Sequence, residues 1–157
     1  MTFRIGHGYD VHRLQDSGQL VLGGVVVGQG LSAIAHSDGD VVIHAIVDAL
    51  LGAMGRGDIG EHFPDSDQKW RGASSSIFLE QVHQILIQAG WSIANIDVTI
   101  MAERPRLKAF KPQMISHLKS ILNCDVNIKA GTNEGCDAVG RGEAIAAHVV
   151  ALISRDD

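Results

Sequence analysis

Gly6-His7-Gly8-Tyr9-Asp10-Val11-His12 reads as a β-strand whose alternation sorts its side chains onto two faces. Asp10 and His12 point from one face, and His7, Tyr9 and Val11 point from the other. A carboxylate and an imidazole on one face of a rigid strand make two-thirds of a three-ligand zinc site. Two-ligand motifs also arise by chance, so the rest of the chain has to supply the third ligand.

Outward from that stretch, residues 3–12 and 20–27 read as two strands joined by the polar turn Gln15-Asp16-Ser17-Gly18-Gln19. A loop around His36-Ser37-Asp38-Gly39 leads into a helix over about 40–54, with Ser37 and Asp38 as candidate N-caps. Ile43, Ile46, Val47, Leu50, Leu51 and Met54 form its buried stripe. Gly55-Arg56-Gly57-Asp58-Ile59-Gly60 stops it and opens a long loop through Phe63-Pro64-Asp65-Ser66-Asp67. A second helix over about 74–88 ends at Gly90. Residues 96–100 and 126–130 alternate as strands, with a helix over about 108–122 between them and Pro112 in its first turn. The mostly apolar stretch 142–153 reads as a last helix. The order ββα-αβαβα predicts one α+β domain over residues 1–157, a four-stranded sheet covered by helices on one face. The other face is too apolar around Val98 to stay wet, so it is expected to pack in an oligomer.

The chain carries 45% hydrophobic residues, only 4% aromatic, and a net charge of -5. That charge argues against nucleic-acid binding, which needs a basic face. An anionic substrate would have to be held by metals, backbone N–H groups or single cations. No apolar run approaches the roughly 20 residues of a membrane helix. Cys124 and Cys136 form neither a disulfide framework nor a CxxC site, and both read as structural. With no room for a signal peptide before the first strand, a cytoplasmic location is expected, or a plastid stroma for a processed chain.

On the first helix Asp40, His44 and Asp48 share one face at i, i+4 spacing. His44 is the candidate third ligand, and Asp40 or Asp48 would accept its second ring N–H. A solvated Asp-His-Asp stripe is the other reading. His36 and Ser37, ahead of a helix N-terminus, can hold a phosphate, or Ser37 and Asp38 simply cap the helix. The acidic loop with Asp58, Gly60, Phe63 and Asp65 is either structural or a lid over sugar hydroxyls. Glu134, in the turn Thr132-Asn133-Glu134-Gly135, can hold Mg²⁺ or Mn²⁺ on phosphate oxygens, or stand solvated. Lys129, Arg141 and Glu143 stay open, and His62, His83, His117 and His148 read as structural.

These residues together resemble the 2-C-methyl-D-erythritol 2,4-cyclodiphosphate synthase family of the non-mevalonate isoprenoid pathway. The likeness runs through Gly6 to His12, Ala35-His36-Ser37-Asp38-Gly39-Asp40, Asp48-Ala49-Leu50-Leu51-Gly52 and Gly57-Asp58-Ile59-Gly60. It continues through Phe63-Pro64-Asp65, Asp97-Val98-Thr99-Ile100, Pro112-Gln113-Met114 and Gly140-Arg141-Gly142-Glu143, nearly the whole chain in order. The resemblance implies a homotrimer with its sheets around a central core and active sites between subunits. It implies zinc on Asp10, His12 and His44, and Mg²⁺ or Mn²⁺ on Glu134. His36 and Thr132 match positions assigned to stabilising the transition state, and Ser37 a substrate contact. Asp58 and Gly60 match ribose-contacting positions, and Phe63 and Asp65 the erythritol loop. Ala102 to Lys108, including Pro105 and Leu107, match a cytidine-binding stretch supplied by a neighbouring subunit.

The reaction so implied cyclises 4-diphosphocytidyl-2-C-methyl-D-erythritol 2-phosphate and releases CMP. Two departures stand out: Gly135 replaces a family lysine that would touch phosphate, and Ala138 replaces an aromatic near the central cavity. Arg141 and Glu143 remain at the mouth of that cavity, where some members bind isoprenoid diphosphates. A zinc hydrolase, or a non-catalytic metal-organised trimer that binds nucleotides or isoprenoid diphosphates, are the readings to be separated from this one.

Overall fold

The computed structural model describes residues 1–156. The first strand, β1 (Thr2–Gln15), is followed by β2 (Gln19–Leu22), β3 (Val25–Gln29), β4 (Ser32–Ala33) and helix α1 (Val41–Met54). Next come α2 (Ile59–His62), a 3₁₀ turn (Gln68–Trp70), α3 (Ser75–Gln88) and β5 (Ser92–Met101). The chain closes with α4 (Lys111–Leu122), β6 (Asp125–Gly131), α5 (Asp137–Gly140) and β7 (Ala144–Arg155).

The main sheet has five strands in the order β4-β1-β7-β5-β6, mixed because β5 and β6 run parallel while the other pairs are antiparallel. This corrects the expected four-stranded sheet, and the main cause is β7. Residues 142–153, which read as a helix, instead pair with β1 from Arg13↔Ala144 to Thr2↔Arg155 and with β5 on the other side. From Ala147 onward the burial alternates: Ala147, Val149, Ala151 and Ile153 are buried, and His148 and Val150 are exposed. Apolar residues on both faces mask that period of two, because a central strand here needs no polar side.

The stretch 20–27 is also not one strand beside the first. It folds back at Gly23-Gly24, both at positive φ (55° and 75°), giving a separate β2-β3 hairpin. Two adjacent left-handed positions are the geometry that tight hairpins demand.

Helix α1 is apolar nearly all round and buried along its length, packing on β1 and β7 and against α3. Its N-cap is Asp40, not Ser37 or Asp38. The Asp40 side chain is wholly buried and accepts from four backbone N–H groups: Val42 and Ile43 (3.1 Å each), Gly23 (2.9 Å) and Gly24 (2.7 Å). One carboxylate thus starts the central helix and ties the β2-β3 turn to it. Burial raises its pKa to about 6, against the pull of the Gly24, Ile43 and Gly23 N–H groups. Its folded pKa exceeds the unfolded value of 3.8, so the native state holds the extra proton between about pH 4 and 6. Asp40→Ala is expected to cost about 2–3 kcal/mol near pH 7, through the lost cap and orphaned N–H groups. The deficit should grow as pH falls from 6 to 4, because only the wild type gains stability there. Urea melts across that range check this; a deficit independent of pH would contradict it.

Helix α3 ends with Gly90 donating to the Ile87 carbonyl (2.9 Å), where the sequence places its stop. Helix α4 begins at Lys111 rather than near 108, with Pro112 in its first turn. Val98 faces the core, so the uncovered face is not apolar on its account. The apolar residues exposed there include Phe3, Ile5, Tyr9 and Val11 from β1 and Val150 from β7.

Candidate metal and substrate site

The face of β1 that carries Asp10 and His12 also carries Gly6 and Gly8, and it lies directly on α1. A Cβ on Gly8 would sit 1.8 Å from the Ala45 carbonyl oxygen, and one on Gly6 would sit 1.7 Å from that of Ala49. Strand and helix therefore touch backbone to backbone. That approach brings His44, one position before Ala45, onto the two strand ligands.

The three donor atoms form a small triangle. His44 Nδ1 lies 2.9 Å from Asp10 Oδ2 and 3.2 Å from His12 Nε2, and His12 Nε2 lies 3.0 Å from Asp10 Oδ2. Tetrahedral zinc with bonds of about 2.0–2.1 Å separates its ligands by roughly 3.3 Å, so this triangle is a slightly contracted base of such a site. The donor set, two imidazoles and one carboxylate with one side open, is that of an open divalent-metal site. Burial opposes charge on Asp10, but hydrogen bonds and charge from His12 and His44 outweigh it and hold the carboxyl well below its usual range. Burial alone would lower the His44 pKa; the Asp10 hydrogen bond and the charges of Asp10, Asp40 and Asp38 raise it instead.

The second ring nitrogen of His44 goes elsewhere than expected. Asp40 is occupied by backbone N–H groups, and Asp48 accepts from Ile59 N (2.8 Å). His44 Nε2 instead meets Ser75 Oγ at 2.9 Å and Ser37 Oγ at 3.1 Å, and the Ser75 hydroxyl donates to Asp38. A His44–Ser75–Asp38 chain thus orients the ring and leaves Nδ1 facing the triangle. Sequence reasoning misses Ser75, because a serine at a helix start looks like a cap.

The triangle opens into a cleft of about 520 Å³. His36, Ser37, Gly60, Phe63 and Asp65 line it, and Trp70 and Phe78, which the sequence did not single out, join them. Phe63 stacks on Phe78 (4.6 Å between centroids), with Trp70 edge-on to both. His36 Nε2 is buried without a protein partner. The N–H groups of Val42 and Ile43 at the start of α1 are taken by Asp40, so His36 and Ser37 cannot borrow them to hold an anion. Asp58 does not line the cleft; its carboxylate caps α2 by accepting from Glu61 N.

Ala102, Pro105, Leu107, Lys108 and Thr132 line a separate cleft of about 650 Å³ with Arg106 and Lys111. Glu134 sits in a left-handed turn (φ 51°) and accepts from the Thr132 hydroxyl at 2.7 Å, outside both clefts. Arg141 pairs with Glu143 (2.9 Å) at the surface. Burial pushes the Cys124 thiol up to about 11, aided by Asp125, while Cys136 is exposed.

Residues 3–154 match the YgbB family over nearly the whole chain. The chain belongs to the YgbB family. Its relatives include the chloroplastic 2-C-methyl-D-erythritol 2,4-cyclodiphosphate synthase of Arabidopsis thaliana, 45% identical over 99% of this chain and 68% of that one. The synthase of the same name from Acaryochloris marina is 47% identical over 99% of this chain and 98% of its own length. Among solved structures, the IspF protein of Plasmodium falciparum in its CDP complex superimposes with a TM-score of 0.86. It is 31% identical, over 99% of this chain and 97% of that one. The YgbB family likeness accordingly spans the β1 ligands, α1 and both clefts. Among the described residues, no helix is long and apolar enough to cross a membrane.

Proposed function

We propose that this chain is a 2-C-methyl-D-erythritol 2,4-cyclodiphosphate synthase, a phosphorus–oxygen lyase of the non-mevalonate route to isoprenoid precursors. Its substrate would be 4-diphosphocytidyl-2-C-methyl-D-erythritol 2-phosphate. An oxygen of the 2-phosphate attacks the β-phosphorus, the bond from that phosphorus to the CMP oxygen breaks, and CMP leaves. The observation that carries this reading is the donor triangle of Asp10, His12 and His44 at the floor of a cleft of about 520 Å³, in a chain whose relatives share that name.

Asp10, His12 and His44 would hold zinc and Glu134 would hold Mg²⁺ or Mn²⁺, and these ions would supply positive charge against the phosphates. The chain's own groups position and shield. His36, with its buried, unpartnered Nε2, and Ser37 hold the phosphate at the mouth of the triangle. Phe63, stacked on Phe78, packs the methyl-bearing carbons of the erythritol and keeps water off, and Asp65 takes its hydroxyls. Thr132 would contact the diphosphate from the second cleft, beside the cytidine held along Ala102, Pro105, Leu107 and Lys108. Asp58 and Gly60 would serve the ribose. No side-chain nucleophile is required, because positioning and charge stabilisation supply the acceleration.

The two clefts are separate on one chain, which supports an active site completed by a neighbouring subunit. A homotrimer packed through the face that exposes Ile5, Tyr9, Val11 and Val150 would provide it, in one domain per chain. Arg141 and Glu143 would then stand at the mouth of a central cavity able to take an isoprenoid diphosphate. The proposed setting is a bacterial cytoplasm or a plastid stroma.

Purified protein with zinc, magnesium and the substrate should yield CMP and the cyclic diphosphate in equal amounts by phosphorus NMR. Open-chain phosphates would support a zinc hydrolase in its place, and no product at all would overturn the enzyme reading.

A further inference from the structure

Among the described residues, three buried side-chain polar atoms have no hydrogen-bond partner: His36 Nε2, Trp70 Nε1 and Asn133 Oδ1. Two of them, those of His36 and Trp70, belong to residues that line the cleft beside the Asp10 triangle. An indole N–H can only donate, and leaving it buried and unpaired is costly, so a buried tryptophan normally finds an acceptor. We propose that the Trp70 indole N–H donates to a hydroxyl oxygen of the substrate's four-carbon polyol, making Trp70 a specificity-determining residue; this rests on the cleft being the methylerythritol site.

The ring is held before any ligand arrives. It stands edge-on to Phe63 and Phe78, 5.3 Å from each between centroids, and the Lys69 ammonium lies over it at 4.6 Å. Its backbone is tied on both sides, with Trp70 N donating to the Asp67 carbonyl (3.1 Å) and Ala73 N to the Trp70 carbonyl (3.0 Å). Gly72 N then donates to the His36 carbonyl (2.9 Å), which fastens this turn to the segment carrying the other unpaired nitrogen. A donor fixed in this way gives up little freedom when its hydrogen bond forms.

Its place favours the polyol over a phosphate at the triangle. Phe78 packs against both rings, 6.3 Å from that of His44 and 5.3 Å from that of Trp70, so the indole stands one ring further out. Asp65 on the same cleft offers acceptor oxygens, and Trp70 offers a donor. A hydroxyl answers both, giving its proton to the carboxylate and a lone pair to the indole. A compound with hydrogen in place of that hydroxyl would leave the buried N–H unpaired and is disfavoured for that reason. A ring that serves only to pack responds to shape and needs no acceptor.

The test uses full-length, zinc- and magnesium-loaded protein and two probes. CDP has no polyol; 4-diphosphocytidyl-2-C-methyl-D-erythritol has it but lacks the 2-phosphate and cannot cyclise. In protein isotope-labelled at its two tryptophans, the indole N–H signal missing from Trp70→Phe should move downfield with the second probe and not with CDP. Replacing Trp70 by 3-benzothienylalanine keeps the ring's shape and removes the N–H. That protein should bind the second probe about 5–30-fold more weakly and CDP as wild type does. An unmoved indole signal with the second probe bound, or affinities for the two probes that change alike, overturns the hydrogen bond. Failure of wild type to bind the second probe is the separate failure of the methylerythritol reading and takes this proposal with it.

Discussion

Asp10→Ala is expected to lower CMP release by about three orders of magnitude or more and to abolish zinc binding at the proposed Asp10–His12–His44 site. Asp10 is the only anionic donor of the triangle, and its Oδ2 touches both imidazole nitrogens within 3.0 Å. Without it two neutral rings remain, and the charge that draws a divalent cation is gone. Losses of this order follow when the group that stabilises charge in the transition state is removed. Asp10→Asn keeps the shape and should lose nearly as much, because the charge is what matters. The fold should survive both changes, since Asp10 is partly solvent-exposed and supports no backbone group. The check is zinc content beside initial rate and a thermal melt. Full activity in either variant would remove the triangle from the reaction.

Gly8→Ala is expected to destabilise the protein by about 4 kcal/mol or more and to lose metal in proportion. The new Cβ would meet the Ala45 carbonyl oxygen at 1.8 Å and the Ala49 nitrogen at 2.9 Å, and both are backbone atoms. No rotamer relieves such a clash; α1 has to lift off β1, opening the core and carrying His44 from its partners. Gly52→Ala is the control. Gly52 lies within α1, and a Cβ added there would meet nothing within 4 Å, so this variant should gain about 0.5–1 kcal/mol from helix propensity alone. Denaturant melts and metal content on the two variants test the pair. A Gly8→Ala protein as stable as wild type would show that strand and helix are not in backbone contact.

The two substitutions bear on one design. Asp10 and His12 follow Gly6 and Gly8 in the same alternation, so a single strand face supplies both the gap for the helix and the ligands beside it. Ligand spacing and face are legible in the sequence because a strand's period of two is fixed by local stereochemistry. The partnership with His44 is legible as a need for a third donor. The close approach that delivers it is not, since two glycines on a strand say nothing of which helix will lie against them.

Elsewhere, local signals compete. In 142–153 the buried positions Ala147, Val149, Ala151 and Ile153 alternate, but Val150 and Leu152 between them are apolar as well, and the run reads as a buried helix. The Gly23-Gly24 turn is a hairpin signal inside what otherwise reads as one strand. Asp40 reads as a helix-face residue by spacing, yet it serves as the cap, because the β2-β3 turn arrives in space to share its carboxylate. Ser75 and Asp38 are far apart along the chain, and only folding places them together behind the His44 ring.

The sequence by itself determined the ligand types, the face they share on β1, the helix that carries His44 and the family to which the chain belongs. These follow from the period of a strand, the period of a helix and motifs that stay together along the chain. Only the tertiary structure decided that β7 is the central strand, that Asp40 is a cap and not a partner of His44, and that His7 meets His148 on the opposite face. Each of these depends on which strand lies beside which and how closely a helix approaches. Those are long-range packing outcomes, set by buried area and backbone contact, that no local window of residues contains.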